Sequence, residues 1–108
     1  MDTHSIFILG WEIDFNSFEV YNDGSELRNV NINGYNFKKV LVQEGDVKVY
    51  KVFLTLHVLE EINDEFDTSI SLIYLNNKTK NIDELRNIAL DLGADNADPR
   101  IYLMIDNY

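Results

Sequence analysis

The residues able to do chemistry in this chain are mostly carboxylates. Glu12 and Asp14 stand two positions apart with Glu19 close behind, a pairing that could divide acid and base roles if a cleft desolvated both groups. Glu60, Glu61, Asp64, Glu65 and Asp67 make the densest acidic run, and Asp91, Asp95, Asn96 and Asp98 gather oxygen donors of the kind a hard cation takes. No group completes a site. The 91–98 segment lacks the central glycine and the closing bidentate glutamate of a calcium loop, and reads instead as a solvated turn in which Asp95 or Asp98 bonds its own backbone. His4 and His57 have no nucleophile near them in sequence, there is no cysteine, and no G-x-S-x-G elbow, Walker loop or H-E-x-x-H pair occurs. The sequence therefore predicts a non-enzymatic protein with no catalytic residue, no metal and no cofactor.

What sets the chain apart is its charge. Nineteen acidic against nine basic residues leave a formal charge of -10, which repels nucleic-acid phosphates over most of the surface and argues against direct nucleic-acid binding. The first basic residue is Arg28, so Glu12, Asp14 and Glu19 have no positive neighbour in sequence. Lys38, Lys39, Lys48 and Lys51 are concentrated in one region. With 45% hydrophobic and 12% aromatic residues in 108 positions, the chain can close one hydrophobic core and is expected to form a single domain over 1–108. No apolar run reaches the ~18 residues of a membrane span, and Met1-Asp2-Thr3-His4 lacks the basic start of a signal peptide, so a cytoplasmic protein is expected.

The elements that must position these side chains follow from hydrophobic periodicity. Ile6 to Leu9 reads as a buried strand start, and Trp11, Ile13 and Phe15 alternate with Glu12, Asp14 and Asn16. Phe18 and Val20 extend the alternation beyond a two-residue turn at Asn16-Ser17, which would set Asp14 opposite Glu19. Asp23-Gly24 signals a further hairpin turn, and Leu27 to Gly34 a polar edge strand. Phe37–Gln43 and Val47–Leu59 flank Glu44-Gly45-Asp46 as a hairpin, whose second arm carries Tyr50, Val52, Leu54, Leu56 and Val58 on one face and Phe53 and Leu59 on the other. A helix over 53–66 competes with that arm, but its Val, Phe and Thr content favours strand. A strand from Thr68 to Leu75 precedes one helix over 81–92, capped by Asn81 and stopped at Gly93, with Ile82, Leu85, Ile88, Ala89 and Leu92 on its apolar stripe. Ile101 to Ile105 is the last strand. The expected fold is α+β: a mainly antiparallel, curled sheet of about six strands with the one helix packed on one face. A parallel pair made by a crossover between 68 and 105 is the alternative.

These features point to a partner with a basic surface. Carboxylates spaced along a sheet can stand where phosphates would, so the expected function is inhibition or neutralisation of a basic nuclease or other nucleic-acid-handling protein. Immunity proteins, antitoxins and phage-encoded anti-defence inhibitors share this small, acidic, cysteine-free composition, an analogy without a motif. The expected contact residues are Glu12, Asp14, Glu19, Glu60, Glu61, Asp64, Glu65 and Asp67, with Trp11 and Tyr21 as aromatic anchors. Two other classes of function fit the same composition. One is an accessory module that oligomerises through the edge near Asn29–Asn33, with acidity for solubility; the other is a small ligand-binding protein.

Overall fold

The computed structural model describes residues 3–22, 29–63, 68–71 and 81–107. Their element order is β1 (Thr3–Ile13), α1 (Phe15–Asn22), β2 (Asn29–Ile32), β3 (Tyr35–Glu44), β4 (Val47–Asn63), β5 (Thr68–Ser71), α2 (Ile82–Asp91) and β6 (Arg100–Asp106). The architecture is α+β, built on one mainly antiparallel sheet with strand order β2-β3-β4-β1-β6, while β5 pairs with the far end of β4. Every described pairing is antiparallel, which replaces the crossover alternative with a meander closed by long connections. No helix among the described residues is long and apolar enough to cross a membrane.

Two tight turns are written in glycine. Asn33 and Gly34 both take positive φ, 53° and 84°, the conformation of a two-residue hairpin turn that Asn-Gly favours, and they join β2 to β3. Gly45 at φ 60° turns β3 into β4, where the sequence places its hairpin.

The sheet curls enough for β3 and β6, which have β4 and β1 between them in the order, to meet. The backbone N–H of Leu41 donates to the Asp106 carboxylate at 3.1 Å, and that of Asn107 donates to the Leu41 carbonyl at 2.8 Å. Inside the curl lies one core of Ile6, Ile8, Val40, Phe53 and Val58, with Tyr102 and Met104 packed against it. On the outer face lies a second core of Trp11, Ile13, Phe37, Val52 and Leu54, covered by Phe18 of α1 and by Leu85 and Ala89 of α2.

A bulge sets which residues of β4 reach which core. Leu9 pairs with His57 but Gly10 pairs with Thr55, so Leu56 is an extra residue on β4. Past it the alternation of β4 changes phase: Val58 joins the inner core, whereas Val52 and Leu54 point outward. The sequence-based expectation that Val52, Leu54 and Val58 share a face fails here. Gly10 permits the bulge because a Cβ at that position would collide with the Leu54 carbonyl oxygen.

The fold also differs from expectation at residues 15–22, which form a helix instead of continuing the alternation. Asp14 caps it, its carboxylate accepting from the Ser17 N–H at 3.0 Å and the Ser17 hydroxyl at 2.9 Å, while the Phe18 N–H donates to the Asp14 carbonyl. Phe15 and Phe18, three apart, suit one helical side as well as they suit a broken strand, and the cap decides between them. There are thus two helices among the described residues, and Asp14 does not face Glu19 across a hairpin.

The second helix has the expected limits. Asn81 accepts from the Asp83 N–H at 2.8 Å, and Gly93 closes the far end at φ 92°. Leu85 and Ala89 are fully buried and Ile88 and Leu92 partly so, but Ile82, the first residue of the helix, is exposed and takes no part in the core. The proposed turn at Asp23-Gly24 and the stretch from Leu72 to Leu75 lie outside the described residues.

Candidate acidic docking face

The end of β1 and the loop after α2 come together, which sequence alone does not reveal. The Asp14 N–H donates to the Leu92 carbonyl at 2.8 Å, and Gly93 passes so close that a Cβ there would lie 2.7 Å from the Asp14 Cβ. This junction brings Glu12 and Asp14 beside Asp95 and Asp98. Glu12, Asp95 and Asp98 line one shallow depression with Tyr102 and Arg100, and Glu12, Asp14 and Asp95 line an adjoining one with Phe15, Tyr50 and Lys51.

The loop carrying Asp95 and Asp98 is held from beneath. The Trp11 indole N–H and the Arg86 Nε–H both donate to the Ala97 carbonyl at 3.0 Å, and the Arg100 guanidinium donates to the Asn96 side chain at 3.0 Å. Arg86 also pairs with Asp83 at 2.7 Å and reaches Asp98 at 3.8 Å. With its backbone so anchored, the loop presents its carboxylates outward, Asp98 being 89% exposed in its side chain.

Three cations stand among these carboxylates: Arg86 reaches Asp98, Arg100 lines the depression with Glu12 and Asp95, and Lys51 borders Glu12. Lys51 lies 3.7 Å from Glu12 and 3.6 Å from Glu44, all three partly exposed, an arrangement that water and salt weaken. Lys38 and Lys39 are buried, and the Lys39 ammonium sits 5.6 Å and 5.9 Å from the centroids of Phe18 and Phe15. Two of the four lysines of the β3–β4 hairpin are thus withdrawn from surface contact. Among the described residues, no three acidic or histidine side chains converge as a metal site would require.

The expected contact residues are distributed unequally. Glu12 and Asp14 are exposed on this face, and Asp14 doubles as a helix cap. Trp11 is 1% exposed and belongs to the core, so its part here is to hold the loop, not to meet a partner. Glu19 and Tyr21 lie on α1. Glu60 and Glu61 pair with Ile6 and Ser5 near the opposite end of β1, about 20 Å from Glu12 at the rise of an extended strand. Asp64, Glu65 and Asp67 lie outside the described residues. Sequence reading set Asp95 and Asp98 aside as a plain turn; only the β1–α2 contact, distant in sequence, joins them to Glu12. Of the aromatics, Tyr50 stacks on Phe15 at 6.0 Å and is 47% exposed, while Tyr102 packs on Phe53 at 4.9 Å.

Comparison with protein-family models, curated proteins and solved structures returns no match.

Proposed function

We propose that this chain is a non-enzymatic acidic binding protein that occupies the basic surface of a nucleic-acid-handling protein and so inhibits or neutralises it. The observation that carries the reading is the gathering of Glu12, Asp14, Asp95 and Asp98 from two distant stretches onto one rim. Carboxylates spread over a rim, with Tyr50 and Tyr102 between them, suit a basic groove: the charges steer encounter and the rings supply contact area. Carboxylates that converge on a point would suit a metal instead. The 60–67 acidic run, at the far end of β1, belongs in this reading to a separate contact or to solvation.

The test is affinity capture from the source cell with the native chain and with a variant converting Glu12, Asp95 and Asp98 to amides, followed by binding measurements on the protein captured. The expected result is a basic nucleic-acid-acting protein whose affinity falls at least about tenfold in the variant, and falls again between 0.1 and 1 M salt as the Debye length shrinks from ~10 to ~3 Å. Equal affinity of both chains, flat with salt, overturns the proposal. Asp14 is left out of the variant because its carboxylate also caps α1, so a change there would mix a binding effect with a helix effect.

A further inference from the structure

Among the described residues, helices cover the outer face of the sheet at one end only. Away from the helices, Leu103, Phe7 and Leu59 lie abreast across β6, β1 and β4, since Phe7 pairs with both of the others. Ile101 and Ile105 flank Leu103 on the same face of β6. These five are 66%, 42%, 38%, 75% and 54% exposed. An apolar groove runs beside them along Leu9 and His57.

We propose that this half of the outer face is a self-association surface, covered by the same face of a second copy of this chain about a two-fold axis. Area supports a second copy. At roughly 150 to 200 Å² per large side chain, the five expose roughly 500 Å², near the upper end of the largest patch a monomer tolerates. Two such faces pressed together remove roughly 1,000 Å² before any rim is counted, close to the lower bound of specific interfaces. A sheet face packing on its own copy at about 10 Å is a standard solution for an apolar sheet surface.

Charge supports it as well. For a chain of formal charge -10, a copy can approach only where carboxylates are sparse. Glu12 is on the opposite sheet face from Phe7 by strand alternation and roughly 16 Å further along β1, and the acidic register position bordering the patch is Glu61, which pairs with Ser5 at the Ile105 margin. The exposed stretch of β6 also has none of the guards that edge strands use against association: between Arg100 and Asp106 there is no charge and no proline. Residues 101–105 of β6 carry no cation, so this stretch offers a nucleic acid or an anionic lipid surface nothing to hold.

The experiment is sedimentation velocity of the full chain from about 1 µM to 500 µM at 0.1 and 0.5 M salt. A concentration-dependent dimer is expected, strengthened by salt because screening relieves like-charge repulsion while apolar contact persists. Binding through the acidic face responds to salt in the opposite sense, so the two proposals fail separately. Leu103→Glu and Ile101→Lys should each raise the dissociation constant at least about tenfold while leaving the far-UV spectrum and melting temperature of the monomer unchanged, since both side chains are mostly exposed. The glutamine and asparagine changes at Glu12, Asp95 and Asp98 should leave the dimer intact. A chain that stays monomeric to 500 µM, or dimers that survive both substitutions, overturns the proposal.

Discussion

Leu85 and Leu103 serve opposite ends of one sheet face. Leu85, on α2, is fully buried against Trp11 and Val52, whereas Leu103, on β6, is 66% exposed beside Phe7. Both follow from a regular apolar period. Periodicity marks the side of an element that can be buried; whether anything covers it depends on helix placement, and here α1 and α2 both lie over the Trp11 end of β1. The comparison also separates two surfaces by chemistry, an acidic rim beside the covered half and an apolar sheet on the bare half.

Four substitutions test that contrast, from the largest effect to the smallest. Leu85→Ala should destabilise the fold by roughly 2 to 5 kcal/mol, the range for truncating a buried leucine, read from denaturant midpoints; a loss below 1 kcal/mol would mean α2 is loosely seated. Gly10→Ala should cost about 1 to 3 kcal/mol, because the obstruction is the backbone carbonyl of Leu54 and one strand must move. A neutral Gly10→Ala would mean the bulge does not set the division between the two cores. Asp14→Ala removes the α1 cap and should cost about 0.5 to 2 kcal/mol, with Asp14→Asn recovering most of it because an amide oxygen still accepts from Ser17. Leu103→Ser should alter monomer stability by less than about 0.5 kcal/mol, measured at a concentration too low for self-association. A loss comparable to that of Leu85→Ala would erase the difference between the two halves.

Much of the fold is legible in sequence for local reasons. The hairpin at Gly45, the helix from Asn81 to Gly93 and the polar strand at Asn29–Ile32 are all specified by neighbours, through turn chemistry, capping and alternation. The short helix at 15–22 is hidden because Phe18 and Val20 alternate as a strand would after a turn at 16–17, while Phe15 and Phe18, three apart, fit one side of a helix as well, and Asp14 at its start reads equally well as a strand carboxylate. The edge strand expected through Gly34 ends at Ile32, because Asn33-Gly34 forms the two-residue β2–β3 turn. The bulge leaves one trace, a glycine inside an apolar strand. The acidic face is half legible: Glu12 and Asp14 stand out by charge, but their union with Asp95 and Asp98 depends on the Asp14–Leu92 backbone bond, which no local rule anticipates.

The pairing of β1 with β6 has a consequence in time. Glu12 and Tyr102 are 90 positions apart yet within hydrogen-bond reach, and the ladder beside them joins strands just as remote. Closing loops of that length must precede most of the reward, so this sheet should fold slowly for its size, in milliseconds to seconds. While β6 is still absent, the β1 edge that ends up central is open, with Ile6, Phe7 and Ile8 along it, making newly made chains most vulnerable to aggregation before their last strand docks.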